Sequence, residues 1–171
     1  KNLTKNRNIK IINKNKNIGY ENSLFKGLKK IKNKKYDYVI TMDADGEHST
    51  SSIKKMEIFC NKYSPDLVIG NRSRKNRISE KIVSFLFKSK YNISDPLSGF
   101  KAYKLSSIRL YLKNYKIKQI FLVDLIYLFI KKKLKIFNID IKSNVKPIRK
   151  SKVGNLLLAN FKIITCLIYL I

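Results

Sequence analysis

The stretch Tyr36–Ile53, YDYVITMDADGEHSTSSI, decides how the chain is read. Tyr38 to Met42 is an apolar run short enough for a buried strand, and it ends abruptly in Asp43, Ala44, Asp45 and Gly46. Glu47, the only histidine (His48) and a hydroxyl cluster from Ser49 to Ser52 follow, and the cluster can start a helix. Two carboxylates one residue apart at the mouth of a strand suit a divalent cation, because hard oxygen donors hold Mg2+ or Mn2+ and bridge it to phosphates. The same residues also fit a solvated Asp-Gly turn.

Working outward, the pattern repeats. Upstream, Ile9 to Ile12 reads as a short buried strand, followed by a polar loop around Gly19. A helix carrying Leu24, Leu28 and Ile31 comes next, with Asn22 or Ser23 as its cap. Downstream, Ile53, Met56 and Cys60 lie on one side of a helix. Asp66 to Gly70 (DLVIG) is another strand, and Ile82, Phe85 and Leu86 mark a further helix. Strand and helix in alternation predict crossover units and a largely parallel sheet, in which ligands collect beyond the carboxyl ends of the strands. Asp43 and Asp45 stand at such an end. The second half is less regular, with a turn and short strand at LSGFKAY, an apolar helix from Phe121 to Ile130 and a strand from Leu134 to Ile141.

The 171 residues form one domain's worth of chain, and 38 Lys+Arg against 11 Asp+Glu give a net charge of +27. Such a field attracts anions: nucleotide phosphates, nucleic acid or an acidic lipid surface. A nucleic-acid surface is disfavoured because the aromatic residues fall in apolar strand and helix patterns and form no stacking platform among the lysines. Cys60 and Cys166 make no CxxC pair, which argues for a reducing compartment, and the glycosylation-like matches at Asn2, Asn71 and Asn92 carry little weight.

Several ordered blocks resemble the family 2 glycosyltransferases, especially the branch of dolichol-phosphate mannose synthases and bacterial polyprenyl-phosphate glycosyltransferases. DADGEH is similar to that family's DxD segment, NKNIGYENSLFKGL to the loop and helix before it, and DLVIGNRSR to its strand ending in Gly-x-Arg. DPLSGFKAYK resembles its Asp-x-x-Ser-Gly-Phe block, and KPIRKSKVG the arginine and Ser-Lys near the end of the catalytic domain.

The resemblance implies an α/β GT-A fold, Rossmann-like, with a mostly parallel sheet flanked by helices. It also implies transfer of a sugar from a nucleotide-diphosphate donor with inversion, assisted by Mg2+ or Mn2+. Nothing matches the family's opening strand and Pro-x-x-Asn-Glu-like loop, and residue 1 is not Met. The chain therefore reads as a catalytic domain over residues 1–152 that lacks its first strand, and UDP and GDP are not distinguished.

By position, Asp43 and Asp45 are the expected metal and donor-diphosphate ligands, with Glu47 standing where the nearest relatives have glutamine. His48 fits the same block, or is a structural histidine. Arg72 and Arg77, with Arg149 and Lys152 from the far side, are the expected grips on acceptor phosphate or diphosphate, since guanidinium forks pair bidentately with phosphate oxygens. Ser98 and Gly99 form the substrate loop. Asp95 is the counterpart of a residue near the reacting sugar, and Asp124 is a carboxylate in an apolar helix, costly to bury without a partner.

A polyprenyl phosphate acceptor needs no base, whereas a saccharide or lipid hydroxyl would require Asp95 or Asp124 to act as one. Residues 153–171, VGNLLLANFKIITCLIYLI, form an apolar or amphipathic segment that reads as an interfacial helix, the start of a span or a core helix. With the charge, it predicts a peripheral enzyme at the cytoplasmic face of a membrane, whose partners are a nucleotide sugar, a lipid-linked acceptor and anionic lipid. The competing readings are a transferase for cell-envelope saccharide or glycolipid hydroxyls, and a catalytically incomplete fragment or basic binding module.

Overall fold

The computed structural model describes residues 9–13, 15–43, 46, 48–73, 75, 77–114, 120–142, 160–161, 163–165 and 167. Its elements in chain order are α1 (Tyr20–Ile31), β1 (Tyr38–Thr41), α2 (Thr50–Tyr63), β2 (Leu67–Asn71), α3 (Ile78–Tyr91), β3 (Lys101–Lys104), α4 (Leu105–Asn114), α5 (Phe121–Lys131) and β4 (Ile136–Asp140). The four strands form one sheet in the order β1-β3-β2-β4. Three of them point the same way. β2 and β4 pair in parallel, while β3 runs antiparallel between β1 and β2.

Alternation along the strands sends side chains to two cores. Leu67, Ile69 and Tyr103 face α1, α3, α4 and α5, where Leu28, Val83, Phe87, Ile108, Leu112, Val123 and Phe129 are buried. Val68, Ala102 and Ile139 face the other way, onto Met56 and Cys60 of α2. Because both faces are covered, β2 carries no polar side chain along its buried length, Leu67 to Gly70.

Local chemistry sets the ends. The Ser49 hydroxyl accepts from the Ser51 amide and caps α2, as its hydroxyl cluster predicts, and Ser64 closes that helix in the left-handed region at φ 44°. Asn92 does the same for α3 at φ 56°. Arg109 donates to the carbonyls of Lys32 and Lys34, satisfying the chain just past α1. Asp66 holds the far ends of three elements, its carboxylate accepting from the Ser107 hydroxyl and the Lys135 amide and its carbonyl from the Lys104 amide.

Two expectations from the sequence are corrected. Ile9 to Ile12 is not a buried strand: Ile9, Ile11 and Ile12 are exposed, and no described strand pairs with them, so their backbone has no ladder to join. Helix α1 begins at Tyr20, ahead of the proposed caps, and Gly19 is its N-cap. Asn22 and Ser23 instead donate back to the carbonyls of Ile18 and Gly19 from inside the first turn. Helix α3 stands where Ile82, Phe85 and Leu86 mark it; Ile82 and Phe85 face outward, and Ser79, Val83, Ser84 and Phe87 are buried.

β2 and β3 approach closely at Gly70. A Cβ there would lie 2.7 Å from Cδ1 of Phe100 and 3.1 Å from the Phe100 carbonyl, which accepts from the Gly70 amide at 2.9 Å. Gly70→Ala is therefore expected to destabilise the fold by about 1–3 kcal/mol, read as a lower urea midpoint with an unchanged m-value.

Candidate active site at the strand ends

β1 and β2 end on the same rim of the sheet, and the loop preceding β3 is drawn down between them. Asp43 lies two residues past the end of β1. Its carboxylate crowds Gly99: a Cβ on that glycine would stand 2.6 Å from Asp43 Oδ2 and 2.9 Å from the Tyr20 hydroxyl. Tyr20 is 48% exposed as a whole residue, yet its hydroxyl turns inward and donates to the Asp43 carboxylate. Burial of that hydroxyl, with the negative charge of Asp43, raises the phenol's pKa well above its ordinary value.

Asp95 has no exposed surface. Arg72, just past β2, receives it with a bidentate guanidinium: Nε donates to Oδ2 at 2.8 Å, Nη2 to Oδ1 at 3.0 Å, and the Arg72 amide adds a third bond to Oδ2 at 3.2 Å. Nη2 also reaches Glu80 of α3 at 3.5 Å.

The loop that Asp95 opens is held from beneath by Lys101, a fully buried residue of β3 whose ammonium donates to the carbonyls of Pro96 (3.0 Å) and Ser98. The Thr41 hydroxyl donates to the Gly99 carbonyl at 2.8 Å, and the Ser98 hydroxyl accepts from the Phe100 amide at 3.2 Å. Burial pushes the Lys101 pKa down to about 7, against the opposing pull of the Asp95 carboxylate.

The structure thus brings together Asp43, Arg72, Asp95, Ser98 and Gly99 from the sequence reading. Arg77 occupies the N-cap position of α3, the helix whose first turn supplies Glu80. His48 is buried against Phe100, with ring centroids 5.0 Å apart, and its Nδ1 has no hydrogen-bond partner among the described residues. Asp124 is buried in the first turn of α5, where Glu21 of α1 accepts from the neighbouring Leu122 amide at 3.4 Å. Asp45, Glu47, Arg149 and Lys152 lie outside the described residues.

Tyr20, Thr41, Glu80 and Lys101 were not singled out from the sequence. Only Lys101 left a usable signal, a cation directly after a Ser-Gly-Phe turn and ahead of the apolar pair Ala102-Tyr103.

The chain belongs to glycosyl transferase family 2, whose model matches residues 1–124, a span that takes in β1 with its aspartates, Arg72, the 95–100 loop and Asp124. It is a glycosyltransferase by that membership, and its α/β architecture, a four-stranded mixed sheet flanked by helices, is consistent with the expected GT-A fold. No curated protein matches the chain.

Members of the family often use a divalent metal, and the donor chemistry here fits one. Asp43 presents hard carboxylate oxygens at the strand end, and the space beside them is kept open by a glycine that a single methyl would fill. Among the described residues no group of three metal-ligating side chains converges. An open hollow of about 670 Å³ beside α1, lined by Ile12, Lys16, Ile18, Lys26 and Lys29 among others, includes none of the clustered residues.

Gly99→Ala should displace the Asp43 carboxylate and the Tyr20 hydroxyl, weakening Mn2+-dependent nucleotide-sugar binding by about 10–100-fold in calorimetry. A second expectation concerns pH. The Lys101 pKa is lower in the folded chain (about 7) than its ordinary 10.5, so the unfolded chain binds the extra proton between those values and stability rises with pH there. The stability of the wild type relative to Lys101→Met should increase from pH 7 to pH 10 in urea titrations; parallel curves would contradict this.

Proposed function

We propose that the chain is the catalytic part of an inverting, metal-dependent glycosyltransferase that moves a sugar from a nucleotide-diphosphate donor to a polyprenyl phosphate at a membrane surface. The observation that carries the acceptor assignment is the state of Asp95. Both of its oxygens are engaged by Arg72 and it has no exposed surface, so it is poorly placed to take a proton from an acceptor hydroxyl. A phosphate monoester is already ionised near neutral pH and asks only to be positioned and have its charge offset.

In this reading Asp43, with Asp45, holds Mg2+ or Mn2+. The ion, when bound, offsets the charge of the departing nucleoside diphosphate. Tyr20 fixes the Asp43 carboxylate by donating to it, and Gly99 leaves that carboxylate room. Arg72 and Lys101 keep the 95–100 loop in place beside the sugar, and Arg77, Arg149 and Lys152 supply cations for the acceptor phosphate or donor diphosphate. Attack by a phosphate oxygen in line with the leaving group inverts the anomeric carbon without a protein base. The resemblance of DADGEH, DPLSGFKAYK and KPIRKSKVG to the polyprenyl-phosphate branch supports the same acceptor.

A transfer assay tests this with UDP- and GDP-sugars, Mg2+ or Mn2+, and two acceptors, polyprenyl phosphate and the corresponding polyprenol. Product is expected from the phosphate alone, and none from Asp43→Asn. Transfer to the alcohol in preference to the phosphate would overturn the acceptor assignment and return Asp124 to the role of base.

A further inference from the structure

Helix α3 carries more apolar surface than its core contacts use. Ser79, Val83, Ser84 and Phe87 are buried, while Ile78 (76% exposed), Ile82 (43%) and Phe85 (71%) point away from the core. These three recur at i, i+4 and i+7, one stripe about 10 Å long.

The stripe has neighbours. The Ser79 hydroxyl donates to the Asn160 side-chain oxygen at 2.6 Å, which sets the C-terminal helical residues against the first turn of α3. From there Ile163 enters the larger core, while Phe161 (69% exposed) and Ile164 (42%) stay outside it.

The exposed charges of α3 have one sign. Lys81, Lys88 and Lys90 are exposed on α3, and its only acid, Glu80, is turned to Arg72. Two copies of this face would bring lysines against lysines in a chain of net charge +27, which opposes self-association. Nucleic acid would be served by the lysines but gains nothing from exposed isoleucines. An apolar stripe on a helix whose exposed charges are lysines is the pattern of a surface that inserts into the headgroup region of an anionic bilayer.

We propose that the outer face of α3, Ile78, Ile82 and Phe85 with Phe161 and Ile164 beside them, is the membrane-docking surface of the protein, and that its ligand is an anionic lipid bilayer. This rests on the lipid-acceptor reading above and gives it a geometry. The first turn of α3 supplies Glu80 to the Arg72–Asp95 pair, so docking by this helix brings the candidate site to the membrane surface, where a lipid-linked phosphate stands. Among the described residues no helix is long and apolar enough to cross a membrane, so attachment through them is from one side.

The test uses the whole protein and vesicles free of polyprenyl phosphate, so that its outcome does not depend on the acceptor. Co-sedimentation is measured on phosphatidylcholine vesicles with and without phosphatidylglycerol, for the wild type, for Ile82→Glu with Phe85→Glu, and for the milder Phe85→Ser. The expected result is binding to anionic vesicles only, weakened about tenfold or more by the double variant and less by Phe85→Ser, with thermal midpoints unchanged.

Three results would overturn the proposal. One is equal binding by all three proteins, or binding by none. Another is concentration-dependent self-association of the wild type that the variants lose, which would make the face a contact between copies. The last is a large fall in thermal midpoint for Phe85→Ser, which would mean that the chain itself covers the stripe. The transfer assay on polyprenyl phosphate in detergent reads the acceptor assignment separately, and the stripe variants are expected to keep their activity there.

Discussion

A carboxylate without exposed surface is tolerated only if something offsets its charge, and Asp95 has Arg72 for that purpose. The pair joins two distant parts of the chain, the end of β2 and the start of the loop that leads into β3. Removing Arg72 would leave the Asp95 carboxylate in the interior without its guanidinium partner, a change that typically costs about 3–5 kcal/mol. The other contacts of the loop depend on that anchor. With Asp95 fixed, Pro96 and Ser98 present their carbonyls to Lys101, Gly99 presents its carbonyl to Thr41, and the Cα of Gly99 comes to rest against Asp43. The candidate metal-binding carboxylate is therefore flanked by a loop that an ion pair not containing it holds in place.

The electrostatics of this region differ from those of the rest of the molecule. Across the chain the cations outnumber the acids more than threefold, yet at the strand ends Asp43, Asp95 and Glu80 gather around Arg72 and Lys101. Such balance keeps buried charges affordable, and it also leaves a defined task for ligands. On the proposed reading, a metal with a diphosphate would enter beside Asp43, where an oxygen donor is free of a neighbouring Cβ. The acceptor phosphate would meet the basic residues outside the pair, since the Arg72 guanidinium is already spoken for by Asp95 and Glu80.

Much of this was legible in the sequence, for reasons that can be located. The junction of β1 with its aspartates is visible because an apolar run stops at charged residues, and the hydroxyls from Ser49 to Ser52 announce α2 by their capping chemistry. Local signals of that kind survive folding. The register and neighbours of β3 are not local, and nothing in LSGFKAY says that it pairs with both β1 and β2. Ile9 to Ile12 carries the composition of a strand, but a strand exists only with a partner. In α3 the apolar residues outnumber those the core can accept, so periodicity identified the helix without identifying which side faces inward. Tyr20 had no sequence signal at all, because its role comes from the distance between its hydroxyl and Asp43.

The antiparallel strand is what makes one site out of these pieces. β1 and β2 deliver Asp43 and Arg72 at their carboxyl ends, as strands of a parallel sheet do. A third parallel strand between them would bring its own carboxyl end to that rim and send the preceding loop to the opposite one. Because β3 runs the other way, its first residue, Lys101, is paired with Thr41 of β1 and with Ile69 of β2. The loop before it, 95–100, consequently arrives at the same rim as the two strand ends. Close passage then demands small residues, Gly70 against the Phe100 ring and carbonyl and Gly99 against the Asp43 carboxylate. The reversal of one strand thus accounts together for the buried ion pair, the two glycines and the buried lysine, four features that otherwise look unrelated along the chain.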